Sequence, residues 1–117
     1  MDTKPNERKI DYIEFPAIDV SKTKTFYQNV FGWKFTDYGP DYTSFEDGRI
    51  AGGFTTAAKV TNGGVLVVLY SADLSGIEQK VRQAGGTISK EAFDFPGGRR
   101  FHFKDPSGNE LAIWPDN

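Results

Sequence analysis

A chain of 117 residues with 38% hydrophobic and 15% aromatic side chains is long enough to bury the core of one domain. Its net charge of −2, with no basic run, excludes nucleic acid and anionic membranes as expected partners; with no apolar stretch long enough to span a bilayer and no signal-peptide pattern, a cytoplasmic location is expected. The absence of cysteine excludes disulfides, thiolate catalysis and cysteine-held metals.

Residues 1–8 are polar, contain Pro5, and read as a loose tail. Lys9 to Phe15 reads as a strand that Pro16 ends. Asp19 or Ser21 caps a helix over Lys22 to Phe31, with Phe26, Val30 and Phe31 on one face and Gly32 past its C-terminus. Three strands follow, over Trp33 to Tyr38, Tyr42 to Glu46 and Ile50 to Thr56, punctuated by Gly39-Pro40 and Asp47-Gly48. This is a βαβββ module over about residues 9–58.

Thr61-Asn62-Gly63-Gly64 is the expected linker, and then the order repeats over about residues 64–115. Val65 to Tyr70 is an apolar strand. Asp73 caps a helix whose Leu74, Ile77, Val81 and Ala84 form one stripe, ended by Gly85-Gly86. Thr87 to Phe93 is a strand, with a loop expected at 94–98. The segment Gly98 to Trp114 is then a hairpin around the turn Asp105-Pro106-Ser107-Gly108-Asn109. Phe45-Glu46-Asp47-Gly48-Arg49-Ile50-Ala51 is a looser copy of that hairpin, which supports a duplication.

The expected fold is therefore α+β. Two βαβββ modules within one 117-residue domain place their sheets side by side, with helices on the outer faces and a shared cleft between the inner ones. Pleat parity assigns Ile13, Phe15, Val65, Val67, Leu69, Phe101, Phe103, Leu111 and Ile113 to the helix side. It assigns Tyr12, Glu14, Ile50, Gly52, Phe54, Leu66, Val68, Tyr70, Arg100, His102, Glu110, Ala112 and Trp114 to the cleft. Within that second set Tyr12, Phe54, Tyr70 and Trp114 are rings suited to stacking on a flat, partly apolar ligand. Rings in the same place also serve as plain core.

His102 is the only histidine. As a general acid or base it needs an orienting partner, and Glu14 or Glu110 fits that role; a hydrogen-bonded strand histidine at the cleft edge is the blander alternative. Arg99 and Arg100 point to opposite faces. The one reaching the cleft either grips an anion or forms an internal salt bridge to Glu14 or Glu110. The paired glycines lack the strand-to-helix context of a phosphate loop, and no nucleophile–base–orienter triad is readable.

The pattern Ile13-Glu14-Phe15-Pro16-Ala17-Ile18-Asp19, then Phe26-Tyr27 through Val30-Phe31-Gly32-Trp33, then Ala84-Gly85-Gly86, then Asp105-Pro106-Ser107-Gly108-Asn109-Glu110 resembles the vicinal-oxygen-chelate superfamily. That superfamily includes glyoxalase I, bleomycin-resistance proteins and extradiol dioxygenases. The resemblance implies paired βαβββ modules, a small-molecule ligand and pairing of two chains into a homodimer. It also implies metal ligands on the first and last strand of each module, positions that fall on Tyr12, Gly52, Leu66 and Ala112. Three of these have no ligating side chain and neutral tyrosine is a poor ligand, whereas a divalent metal needs three or four donors. Glu14, His102 and Glu110 form the alternative donor set, although such carboxylates also salt-bridge to Arg100 or Lys104.

The leading expectation is a cofactor-free and metal-free protein binding a partly aromatic small molecule through Tyr12, Glu14, Phe54, Tyr70, Arg100, His102 and Trp114. The alternatives are a glyoxalase-like lyase or isomerase using Glu14, His102 and Glu110, and a small regulatory or partner-binding module.

Overall fold

The computed structural model describes residues 4–115. Module one contains β1 (Tyr12–Pro16), α1 (Val20–Phe31), β2 (Lys34–Asp37), β3 (Tyr42–Glu46) and β4 (Ala51–Thr55). Module two repeats the order with β5 (Val68–Tyr70), α2 (Leu74–Gln83), β6 (Thr87–Phe95), β7 (Gly98–Lys104) and β8 (Glu110–Trp114). The sheets run β1-β4-β3-β2 and β5-β8-β7-β6, each with its first and last strands parallel and the other neighbours antiparallel. The duplication read from the two hairpins is thus a repeat of whole topology. Of the expected tail, residues 4–6 form a single 3-10 turn, and residues 1–3 lie outside the described residues.

Local chemistry explains the element boundaries. The Asp19 carboxylate accepts from Lys22 N at 2.9 Å and starts α1 at Val20; Gly32, at φ +73°, ends it and donates its N–H to Gln28 O. Asp73 accepts from Gly76 N at 3.0 Å and starts α2. The Asp47 carboxylate accepts from the N–H groups of Arg49 and Ile50, which closes the β3–β4 turn. The expected loop over 94–98 is shorter: β6 runs to Phe95, and Pro96-Gly97 alone turn the chain into β7.

One hydrophobic core spans both modules. Tyr27 of α1 stacks on Trp33 at 4.7 Å and packs on Phe54 at 5.0 Å, while Phe26 and Phe31 reach Phe103 of β7 at 5.9 and 6.0 Å. Gly86 sits where a Cβ would meet Val81 and Phe26, so α1 and the end of α2 approach closely. The β7–β8 turn is docked on module one by polar contacts. Tyr27 Oη donates to Asp105 Oδ2 at 2.9 Å, Ile18 N to Ser107 Oγ at 2.9 Å, and Asn109 Nδ2 to Pro16 O at 2.7 Å. The buried Asp105 carboxylate also accepts from Ser107 N and Asn109 N.

Parity holds for β7 and β8 and fails on β4. Phe101, Phe103, Leu111 and Ile113 are fully buried on the helix side, as expected. Phe54, expected in the cleft, is 0% exposed and stacks on Phe15 at 5.4 Å, so it belongs to the core. Gly52 shares its face: a Cβ there would lie 2.1 Å from Ile13 O and 2.3 Å from Phe45. Ile50 and Leu66 lie outside the strands, and Val65, expected against a helix, is 94% exposed.

Candidate ligand-binding face

The helices cover one face of each sheet, and the other face carries the chemistry. On sheet one, β1 and β4 run in register with Glu14 beside Gly53, and β3 brings Ser44 beside Gly53 from the other side. Gly53 leaves the space that rings need: a Cβ there would lie 2.2 Å from Tyr42 Oη and 2.7 Å from Tyr12 Oη. The two tyrosine hydroxyls are hydrogen-bonded over it, and Tyr42 Oη donates to Glu14 Oε2 at 3.0 Å. Burial first, then the hydrogen bonds to Tyr12 and Glu14, push Tyr42 well above the usual phenol range, so it holds its proton and remains a donor. Tyr42 was absent from the sequence-derived set. Its place at the start of an alternating Tyr42-Thr43-Ser44-Phe45-Glu46 strand was the available signal.

On sheet two the register places His102 opposite Ala112, Lys104 opposite Glu110, and Tyr70 beside Trp114. Glu110 then lies diagonal to His102, and Glu110 Oε2 meets His102 Nδ1 at 2.8 Å. A carboxylate accepts, so the Nδ1 proton faces Glu110 and Nε2 is the ring nitrogen left over. Nε2 is buried and has no hydrogen-bond partner among the described residues, in a side chain only 5% exposed overall.

From β6, Lys90 pairs with His102 and Phe93 with Arg100, across a stretch where the register shifts. The Arg100 guanidinium carbon lies 5.6 Å from the Phe93 ring centre and 5.0 Å from that of Phe95. Phe93 also packs on the His102 ring at 5.7 Å. Phe93 and Phe95 were not among the candidates, because ending the strand at Phe93 hid the i, i+2 pairing that puts both rings on one face. Of the two alternatives for Arg100, the salt bridge to Glu14 or Glu110 does not form: Glu14 takes Tyr42 and Glu110 takes His102. Arg99, on the opposite parity, pairs with Asp94 at 3.4 Å.

Of the candidates, His102, Glu110, Arg100, Trp114 and Tyr70 thus share the face of sheet two opposite the helices, and Tyr12 and Glu14 that of sheet one; Phe54 faces the core. Glu14 and Glu110 also line one pocket of about 210 Å³ with Asn62, Asn109, Val65 and Val67, where the linker passes between the modules.

A family model described as the glyoxalase/bleomycin resistance protein/dioxygenase superfamily matches residues 9–113. The chain belongs to this superfamily. Among solved structures, it is similar to a family enzyme from Burkholderia phytofirmans PsJN, with 18% identity, a TM-score of 0.80, and coverage of 92% of this chain and 100% of that one. The fosfomycin resistance protein FosX from Mesorhizobium loti is 14% identical with a TM-score of 0.76, covering 94% and 93%. Lactoylglutathione lyase from Agrobacterium tumefaciens is 15% identical with a TM-score of 0.71, covering 92% and 93%. At such identities these likenesses speak for the fold. No curated protein sequence matches this chain.

Metal-dependent members of the superfamily place ligands on the first and last strand of each module, and the residues here do not fit that role. Gly52 faces the core, Ala112 has no donor, and the Tyr12 hydroxyl is engaged with Tyr42. The alternative set is divided, with Glu14 on Tyr42 and Glu110 on His102. Among the described residues no group of three or more His, Cys, Asp or Glu gathers to hold a metal.

Proposed function

We propose that this superfamily member binds a small, partly aromatic molecule without a metal, on the face of the sheets opposite the helices. The observation that carries this reading is the cluster on sheet two. Trp114, Phe93 and Phe95 lie on one face with Arg100 and His102, two polar side chains whose buried nitrogens lack partners among the described residues. Rings for stacking beside a few unspent polar atoms are the usual make-up of a ligand site. Tyr12, Glu14 and Tyr42 supply the corresponding wall on sheet one.

The test is a thermal-shift and Trp114 fluorescence screen of chelator-treated protein against aromatic small molecules, run beside a titration with Zn²⁺, Ni²⁺, Mn²⁺ and Fe²⁺. A ligand bound only by the folded state adds about 2.7 kcal/mol at a hundredfold excess over its dissociation constant. Saturable stabilisation by an aromatic compound and none by the metals is the expected result. A metal-dependent rise abolished by Glu14→Ala or Glu110→Ala would overturn the metal-free reading.

The His102–Glu110 contact at 2.8 Å favours a second reading, a lyase or isomerase in which Glu110 orients His102 and Nε2 moves a proton. Glu14, bonded to Tyr42, then acts from the other sheet and not as a partner of His102. Formation of lactoylglutathione by the purified protein, lost in His102→Gln, would establish that activity.

We also propose that the chain forms a homodimer. Each sheet ends in an edge strand, β1 or β5, and exposed Tyr12, Val65, Val68 and Tyr70 cluster on or beside those strands.

A further inference from the structure

Sheet two has more positive than negative side chains on its face opposite the helices. Lys90, Arg100 and Lys104 share that face with His102, by their pairing and alternation, against Glu110. Glu110 is engaged by His102. Arg100 makes no ion pair or hydrogen bond with any described residue, and its Nε is buried without a partner. Its contacts are with the faces of Phe93 and Phe95. Stacking uses the flat side of a guanidinium and leaves its in-plane N–H donors unspent. A half-buried cation with unspent donors calls for an acceptor that none of the described residues provides.

From this we infer that the ligand is an aromatic carboxylate, with its carboxylate on the Arg100 guanidinium and its ring against Trp114 and Phe95. The inference rests on the binding reading above and adds the ligand's charge and orientation. Two coplanar carboxylate oxygens match the fork of a guanidinium better than a single hydroxyl or amide oxygen does. The ring has a place beside the carboxylate site: a Cβ at Gly98 would lie 3.6 Å from the Trp114 indole and 4.0 Å from Phe95, so both rings border Gly98. The His102 ring packs on the same Phe93 ring as Arg100, and its Nε2 is the neighbouring polar atom without a partner among the described residues.

The test compares 1-naphthoate with the neutral isostere 1-naphthamide, titrated into ¹⁵N-labelled protein. The Arg100 Nε–H and Trp114 indole N–H signals are followed. Naphthoate is expected to shift both signals saturably and to bind about tenfold or more tightly than naphthamide, the size of one charge-assisted hydrogen bond. Arg100→Gln should erase that preference while leaving ring binding. Arg100→Lys, which keeps the charge and the length of the side chain, should retain only part of it and guards against a folding defect in the first variant. Equal affinities with a shifted Trp114 signal would overturn the inference and leave the binding reading standing. A naphthoate preference that survives both variants would also overturn it, since another cation would then hold the anion. If neither compound moves Trp114, the binding reading falls with the inference.

Discussion

At the scale of single residues, two adjacent glycines do different work. At Gly52 the obstacle to a side chain is the backbone oxygen of Ile13, which cannot move without breaking the β1–β4 ladder; at Gly53 it is two tyrosine hydroxyls at the ends of rotatable side chains. Gly52→Ala should therefore cost about 3 kcal/mol and Gly53→Ala about 1 kcal/mol, by overpacking. Urea denaturation of the two variants checks the order. Gly53→Ala should in addition separate Tyr12 and Tyr42. Asp105 is the second decisive residue. Its buried carboxylate takes hydrogen bonds from Tyr27, Ser107 and Asn109, so Asp105→Ala strands several donors and should cost about 3 kcal/mol. Burial is the chief influence on its titration and raises it above 3.8, against hydrogen bonds that lower it. The folded protein thus holds this proton more tightly than the unfolded chain. The stability contributed by Asp105 falls as pH rises from 3.8 through the raised value. Asp105→Asn removes this titration. Relative to wild type, its urea midpoint should improve as pH rises from 3.8 through the raised value; a gap that widens against the variant would contradict the assignment.

At the scale of elements, each helix is started by an aspartate that the sequence announces. Asp19→Ala should lower stability by about 1 kcal/mol through loss of the α1 cap, measured by the thermal midpoint. Lys24 Nζ meets Asp37 Oδ2 at 2.8 Å and ties the same helix to β2, and this contact, with help from Thr43, holds the Asp37 carboxyl below its ordinary range. β6 shows the limit of element reading. Its register slips between Lys90 and Phe93, and that irregularity brings Phe93 opposite Arg100. Alternation counted from Thr87 gives Phe93 the right face but sets Glu91 opposite Arg100; the two shifts, between Ile88 and Lys90 and between Lys90 and Phe93, leave no mark in the residues themselves.

At the scale of the whole molecule, the two modules are one packing unit. α1 belongs to module one, yet Phe26, Tyr27 and Thr23 contact Phe103, Asp105 and Ser107 of module two. The protein should therefore unfold in one cooperative step. Each module has one tryptophan, Trp33 or Trp114, so Trp33→Phe and Trp114→Phe variants report the modules separately by fluorescence. The two transitions should coincide; a module that melts first would show the shared core to be weaker than its contacts suggest. Sedimentation analysis tests the proposed dimer, and Tyr70→Glu should shift the distribution toward monomer if that edge is the interface.

The sequence by itself determined the order of elements, the duplication, the α2 cap at Asp73 and the alternation of the last hairpin, and it narrowed the α1 cap to Asp19 or Ser21. These follow from short-range signals: turn residues, capping aspartates and the alternation of Phe101, Phe103, Leu111 and Ile113. His102, Glu110, Arg100 and Trp114 were legible for the same reason. The tertiary structure alone decided which face β4 presents, because Gly52-Gly53 carry no side chain to mark parity, and pairing with Phe45 and Glu14 sets it instead. It alone decided which acid each polar group takes. Glu110 prefers the diagonal His102 and Glu14 the Tyr42 hydroxyl, and both choices depend on distances across strands far apart in the chain. That allocation leaves Arg100 without a counterion among the described residues, and it is the physical reason the proposed ligand is an anion.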